Sequence, residues 1–227
     1  MPLYYVRLLI ARLRVLRGIC LTIVPFAAAA LLAGCGGSDV VQGAARPHAP
    51  ACPKPWLAGW QKLADQVGAP VYCPSWMPSP LDAKIGGPYA NGRSVGKDRS
   101  YLVSFVAVQH DAGGISAEVH VNFRGYPGRT AIPACEDTLT VKGVTRRTTI
   151  PCFADPHPAR LIGGERVTAY TANQGADQWH VLYAWRHDGT LYAISEHVAP
   201  PYTYGQVVSN LDRMMRGLAV VRPAASG

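Results

Sequence analysis

Residues 178–198 carry the pattern that most constrains how this chain can fold. Residues 178–186 and 190–198 are rich in aromatic and aliphatic side chains, and Asp188-Gly189 lies between the two runs. An Asp-Gly pair accepts the positive φ angles of a tight turn, so an antiparallel hairpin is predicted here. Both faces of the pair carry apolar side chains. The hairpin is therefore expected near the middle of a sheet, with a helix packed on one side.

Shorter patterns predict further strands around this hairpin. Residues 101–109 and 115–123 flank the turn-forming residues 111–114, and the second run alternates between apolar and polar side chains. Residues 139–141 and 144–150 form a smaller predicted hairpin around Lys142-Gly143. A strand over residues 160–171 is interrupted by two glycines. Prolines restrict residues 71–78 to a short edge strand followed by an extended segment.

Two segments have the periodicity of amphipathic helices. Residues 55–67 place their apolar side chains on one stripe, with Gly68 as a C-terminal cap and Pro70 preventing continuation. A second helix is predicted to begin after Thr203, which with Gln206 forms a capping box. Its apolar stripe runs from Val207 to Leu218. The fold class predicted is α+β, an antiparallel sheet of hairpins packed by an N-terminal and a C-terminal amphipathic helix.

The first 34 residues have a different composition. Residues 1–17 carry four arginines and no acidic side chain, and an uncharged, mostly apolar run follows. This order is typical of a secretory signal peptide. The alternative is an uncleaved membrane helix. However, the run after Arg17 is shorter than the roughly 20 residues that span a bilayer, and it contains Pro25.

The end of this segment, Leu32-Ala33-Gly34-Cys35, resembles the lipobox of bacterial lipoproteins. The resemblance implies cleavage before Cys35 and attachment of diacylglycerol, and then a further acyl chain such as palmitate, to that residue. The mature protein would be held at the cell membrane or outer membrane and would face away from the cytoplasm. The closing strand–turn–strand–helix order resembles small extracytoplasmic domains of bacterial envelope proteins, but this likeness transfers no functional residues.

These features divide the chain into four segments. Residues 1–34 are the predicted signal peptide, and residues 35–51 are a lipid-anchored flexible tether rich in glycine, alanine and proline. Residues 52–223 are one extracytoplasmic α+β domain, and residues 224–227 are a frayed tail. Losing the four signal arginines leaves 18 basic and 14 acidic side chains, a net charge of +4 instead of +8. That balance does not indicate a nucleic-acid partner.

The predicted domain contains four cysteines: Cys52, Cys73, Cys135 and Cys152. An even number of cysteines in an exported domain favours disulfides, and three pairings are possible. The pairing Cys52–Cys73 and Cys135–Cys152 closes the shortest loops and is the one expected. The alternative is a zinc site with four thiolates, but the chain has no Cys-x-x-Cys pair, so no metal is predicted.

The sequence has no established catalytic signature. It lacks a Gly-x-Ser-x-Gly elbow, a His-Glu-x-x-His motif and a phosphate-binding loop, so no catalytic residue or cofactor is assigned. The polar candidates for a site are Asp177, His180, Glu196 and His197. Glu196 and His197 are adjacent on a strand and should point to opposite faces. Glu118 and His120 share a strand face that is interpreted as exposed to solvent.

Three functions fit these observations. The favoured one is a non-enzymatic envelope module that binds a protein, a lipid or a cell-wall polymer through a concave, aromatic-lined surface. The second is a structural brace of an envelope assembly, which would have no pocket. The third is an envelope hydrolase, which requires His180 or His197 beside a nucleophile and an orienting carboxylate.

Overall fold

The computed structural model describes residues 49–81, 95–110 and 116–225. The predicted signal peptide, Cys35, most of the predicted tether and the turn at residues 111–114 lie outside these residues. In the described part of the chain, neither helix has the combined length and apolar character needed to cross a membrane.

The described residues form two helices and eleven strands. The helices are α1 (Lys54–Val67) and α2 (Tyr204–Arg216). The strands are β1 (Val71–Pro74), β2 (Tyr101–His110), β3 (Ser116–Tyr126), β4 (Ala134–Val141), β5 (Val144–Pro151), β6 (Phe153–Pro156), β7 (Arg160–Ile162), β8 (Glu165–Asn173), β9 (His180–His187), β10 (Thr190–His197) and β11 (Leu218–Val221).

Seven of these strands make the main sheet, in the order β2-β3-β10-β9-β8-β6 with β7 also paired to β8. Each pair is antiparallel. Strands β9 and β10 lie in the middle, which confirms the position predicted for the hairpin around Asp188-Gly189. The fold is mostly antiparallel β with two helices, as the alternating and helical patterns predicted.

Both helices contribute their apolar stripes to the main core. On α1, the Trp60 ring meets Phe123 of β3 edge-on, with 5.8 Å between ring centroids. Gly68 ends this helix at φ 63°, a left-handed conformation that suits glycine. On α2, Val207 and Leu211 are fully buried, and the capping box between Thr203 and Gln206 is formed.

Helix α2 ends at Arg216 with Gly217 as its C-cap, directly after the basic last turn that holds Arg213 and Arg216. Leu218, the last residue of the predicted apolar stripe, begins strand β11, which was not predicted from the sequence. Strand β11 pairs with β1, from Val71 opposite Val221 to Pro74 opposite Leu218. Strand β1 is therefore half of a separate two-stranded ribbon and does not lie on an edge of the main sheet.

The four domain cysteines form the two predicted disulfides, Cys52–Cys73 and Cys135–Cys152. Because every one of these sulfurs is in a disulfide, the four-thiolate zinc alternative is wrong. The first bridge ties the start of α1 to β1, and the second closes the base of the β4–β5 hairpin. Two disulfides indicate a protein of an oxidising compartment outside the cytoplasm.

Candidate functional site

Three histidines from three neighbouring strands meet at one end of the main sheet, on the face opposite the helices. His120 comes from β3, His180 from β9 and His197 from β10, where it lies directly across from His180. The ring centroids are 4.3 Å apart for His120 and His180, 5.0 Å for His120 and His197, and 5.3 Å for His180 and His197. We call these three residues the histidine cluster.

Each ring of the histidine cluster has its Nδ1 atom beside an oxygen. His120 Nδ1 lies 3.2 Å from Glu118 Oε1, and His197 Nδ1 lies 2.6 Å from the Glu118 carbonyl oxygen. His180 Nδ1 lies 2.8 Å from Ser195 Oγ. Hydrogen bonds therefore orient the rings of His180 and His197. The contact of His120 with Glu118 lacks hydrogen-bond geometry, and the side chain of Glu118 is more than half exposed.

A buried carboxylate, Asp177, is linked to the histidine cluster through Ser195. Asp177, at the end of the 3₁₀ turn Gly175–Asp177, is only 2% exposed. Its Oδ1 atom accepts hydrogen bonds from Ser195 Oγ at 2.7 Å and Asn122 Nδ2 at 3.0 Å. Its Oδ2 atom lies 2.7 Å from Arg124 Nε. Asp177 therefore has one counter-ion and two neutral donors, which is the environment a buried charge needs.

The direction of these bonds determines the tautomer of His180. Ser195 gives its hydroxyl hydrogen to Asp177, so its oxygen can only accept from His180 Nδ1. The proton of His180 is then on Nδ1, and Nε2 carries a lone pair that has no hydrogen-bond partner among the described residues. Burial, with a further contribution from His120 and His197, lowers the pKa of His180 to about 2. His180 is thus neutral at physiological pH.

The pKa of His120 is lowered as well. Burial, followed by the proximity of His197, lowers the pKa of His120 below its ordinary value, although Glu118 acts in the opposite direction. Sequence periodicity assigned His120 to a solvated strand face. That interpretation is wrong for His120, whose side chain is only 18% exposed, because the 3₁₀ turn and the neighbouring strands cover it.

The arrangement does not have the order of a serine hydrolase. In a Ser-His-Asp triad the histidine lies between the serine and the carboxylate, and the serine faces the substrate. Here Ser195 lies between Asp177 and His180, and it is 1% exposed. Among the described residues, no group of three or more histidines, cysteines and acids has an arrangement that could hold a metal ion.

The structure brings together three of the four predicted polar candidates. Asp177, His180 and His197 belong to one polar network, whereas Glu196 is fully buried on the opposite face of β10. Glu196 accepts a hydrogen bond from Asn210 of α2 at 2.8 Å. Burial raises the pKa of Glu196 to about 8, and the Asn210 bond offsets this only in part. Glu196 is therefore a neutral carboxylic acid at pH 7.

Sequence reasoning missed the network partners Ser195, Asn122 and Arg124. A signal for two of them was present, since Asn122 and Arg124 follow His120 at intervals of two on strand β3. Nothing local in the sequence indicated that the 3₁₀ turn would bring Asp177 onto that strand face.

A second feature is a concave surface beside helix α2, which reaches His180 at the start of β9. Residues of β8 and β9 line its floor, where Ala169 of β8 lies directly opposite Tyr183 of β9. Helix α2 supplies one wall through Tyr204 and Val208, and the segment before and at the start of β7 supplies the other. We call this feature the α2 groove; its residues are His157, Pro158, Arg160, Ala169, Thr171, Trp179, His180, Val181, Tyr183, Val198, Tyr204 and Val208.

The α2 groove consists of two neighbouring pockets with volumes of about 390 Å³ and 170 Å³. Val181 and Tyr204 line both pockets, so the two lie side by side. Its lining is largely apolar with a few polar groups, which is typical of sites for small molecules. The volume of the larger pocket is also within the range of such sites.

One end of the groove is polar. Arg160 Nη2 donates to Tyr183 Oη at 2.6 Å and to Asp212 Oδ1 at 2.9 Å, and Tyr183 Oη donates to the same Asp212 oxygen at 2.8 Å. Burial and the Asp212 bond raise the pKa of Tyr183, which remains a phenol. The side chain of Arg160 is still 49% exposed and can donate hydrogen bonds to a further partner.

The other end of the groove carries exposed aromatic rings. Trp179 is 73% exposed at this end, and Tyr204, which lines both pockets, is 51% exposed. Trp179 has φ 65°, a conformation rare for a bulky side chain, and its carbonyl accepts a hydrogen bond from Val198 N at 3.0 Å. Unusual backbone conformations are concentrated at functional sites, so the placement of Trp179 supports a role for this end of the groove.

No protein-family model, curated protein or solved structure matches this chain.

Proposed function

We propose that this protein is a non-enzymatic binding module of the bacterial envelope, held at a membrane by lipid on Cys35, and that its ligand lies in the α2 groove. The observation that carries the proposal is the pair of neighbouring pockets beside α2, which are lined mainly by apolar side chains and include Arg160. The two disulfides support a location outside the cytoplasm.

The chemistry of the groove indicates an amphipathic ligand with one apolar chain. Tyr204 and Val208 of the α2 wall offer accessible apolar surface, whereas Val181 and Tyr183 of the floor are each 1% exposed. Burying a methylene group against this wall stabilises a complex by about 0.8 kcal/mol. The exposed guanidinium of Arg160 lies at the other end and would bind a carboxylate or phosphate. A single-chain lipid or fatty acid has this combination of parts.

The two other functions receive less support. A brace was expected to lack a pocket, and the α2 groove is a substantial cavity. A hydrolase was expected to have an accessible nucleophile beside histidine, and Ser195 is buried with its hydrogen directed to a carboxylate. The histidine cluster is better explained as part of a largely buried polar network at one end of the main sheet.

A titration with decanoate tests the proposal. Trp179 lies at the groove and is mostly exposed, so a bound chain should move its fluorescence emission to shorter wavelength. The Trp179→Phe variant identifies the part of the signal that comes from this ring. We expect saturable binding that weakens in the Arg160→Gln variant, because the anionic group then loses its charged partner.

The decisive variant changes the apolar wall of the groove. Val208→Lys puts a cation on the apolar wall and should weaken decanoate binding by at least about tenfold, since about 1.4 kcal/mol is a factor of ten. Val220→Lys is the matched control, because Val220 is 44% exposed on β11 and does not line the groove. Equal affinities for the two variants, or no saturable binding to the unchanged protein, would refute the groove as the binding site.

A further inference from the structure

The β4–β5 hairpin is a separate two-stranded sheet that extends away from the core. Its strands pair residue by residue from Ala134 opposite Pro151 to Val141 opposite Val144. Lys142 and Gly143 make the turn with φ angles of 49° and 79°. Every residue of both strands is exposed or half-buried. The Cys135–Cys152 bridge at the base keeps the hairpin closed.

The outer half of this hairpin has an apolar face. Leu139, Val141 and Val144 lie on the same side, and their exposed fractions are 57%, 54% and 59%. Together with Lys142 and Arg146 they surround a shallow depression of about 400 Å³. Three aliphatic side chains at one exposed tip form the kind of patch that marks an interaction site.

Lys142 and Arg146 border this apolar face and Arg147 lies on the reverse face of the hairpin, whereas the acidic residues lie closer to the base. Lys142, Arg146 and Arg147 are all at or near the turn, and all are exposed. None of the three forms an ion pair with another residue in the described part of the chain. Glu136 and Asp137 follow Cys135 at the disulfide end. The hairpin is thus apolar and positively charged at its tip.

We propose that the tip of the β4–β5 hairpin binds the surface of an anionic phospholipid membrane. Aliphatic side chains can enter the boundary between headgroups and acyl chains while neighbouring lysines and arginines contact the phosphates. Charge complementarity favours this partner, since the tip has three cations with no internal counter-ion. The stapled hairpin is already ordered, so little conformational entropy is lost on binding. This inference does not rest on the α2 groove.

An acidic protein is the main competing partner for such a surface. The cations would serve an acidic protein equally well, but three exposed aliphatic side chains at the end of a narrow ribbon offer little area for a protein interface. Three aliphatic side chains at a narrow tip are better suited to shallow insertion into the boundary between lipid headgroups and acyl chains. A second copy of this chain is the other alternative, and it would give a dimer in solution.

Vesicle flotation tests the proposal with residues 36–227, which lack the lipidation cysteine. Vesicles contain either phosphatidylcholine alone or a mixture with phosphatidylglycerol. We expect binding to the anionic vesicles only, and binding that weakens as salt concentration rises. Replacing Lys142, Arg146 and Arg147 with Gln should weaken binding about fivefold for each cation removed.

The apolar part of the tip is tested by the double variant Val141→Asp and Val144→Asp, which should weaken binding at least about tenfold. Leu161→Asp is the control, because Leu161 is 78% exposed on β7 and outside the hairpin. Unchanged melting temperature and disulfide mass establish that each variant is folded. Equal binding to neutral and anionic vesicles, no binding to either, or a concentration-dependent dimer abolished by the double variant would overturn the proposal.

Discussion

Glu196 and His197 are adjacent in the chain, but their side chains lie on opposite faces of the central sheet. Glu196 is fully buried on the helix side and bonds to Asn210, whereas His197 joins His120 and His180 on the other side. The pair therefore cannot act as an acid–base couple. Each residue has a separate consequence for stability and for function.

The buried carboxyl of Glu196 predicts a pH-dependent stability. Its pKa is raised from 4.5 to about 8, so between these values the folded state holds a proton that the unfolded state has lost. The free energy of unfolding should therefore fall by roughly 2–4 kcal/mol as pH rises through this window.

The Glu196→Gln variant should lose this dependence, since glutamine keeps the bond from Asn210 and cannot ionise. Urea unfolding at several pH values measures the difference from the unchanged protein, which should be near zero at pH 4.5 and largest at pH 8. Glu136→Gln, at an exposed carboxylate on β4 outside the main sheet, is the control. Parallel curves for the unchanged protein and Glu196→Gln would show that Glu196 is not buried as described.

The buried ion pair of Asp177 and Arg124 predicts a large effect on stability. Asp177→Asn leaves Arg124, whose side chain is 18% exposed, without its counter-ion, and breaking such a pair costs about 3–5 kcal/mol. Asp188→Asn is the control, because Asp188 is 68% exposed in the β9–β10 turn and asparagine accepts its positive φ. Urea unfolding should show a much larger loss of stability for Asp177→Asn than for Asp188→Asn. Losses of similar size would contradict the buried ion pair between Asp177 and Arg124.

The neutral state of His180 can be observed directly. The pKa of His180 in the folded protein lies far below the ordinary histidine value of 6.5. As pH falls below 6.5, His180 therefore takes up a proton in the unfolded chain but stays neutral in the folded protein. This residue therefore lowers the free energy of unfolding as pH falls below 6.5. Nitrogen NMR of the ring should show protonated Nδ1 and unprotonated Nε2 from pH 7 to pH 5. A titration of His180 in that range would refute the assigned hydrogen bonds.

The two disulfides should differ in what they stabilise. The Cys52–Cys73 bridge connects α1 to the β1–β11 ribbon, so replacing both cysteines with alanine should cost about 3 kcal/mol of global stability. The Cys135–Cys152 bridge closes an exposed hairpin. Its removal should mainly speed amide hydrogen exchange in β4 and β5. Equal loss of global stability for the two double variants would contradict this division.

Local patterns were sufficient to predict much of this fold. The Asp188-Gly189 turn, the Thr203–Gln206 capping box and the two short-range disulfides are determined by residues close together in the sequence. Each feature depends on turn geometry, hydrogen bonding at a helix end, or a short closed loop. Such interactions can be recognised without knowledge of the tertiary structure.

Long-range relationships could not be predicted in the same way. Strand β1 pairs with β11 across nearly the whole domain, and no local signal at Val71 indicates Val221 as its partner. His120 and His180 meet only because β10 lies between their strands. The α2 groove likewise depends on how α2 packs against β9 and β10. Its lining residues had no recognisable spacing in the sequence.

Native mass spectrometry tests the binding function most directly. Residues 36–227, exported to an oxidising compartment and purified without denaturant, should have a mass lower by four hydrogens because of the two disulfides. We predict an additional bound mass of one amphipathic ligand, retained by Val220→Lys and lost by Val208→Lys. A protein with no ligand that also fails to bind decanoate, or a ligand retained equally by both variants, would contradict the proposed role of the α2 groove.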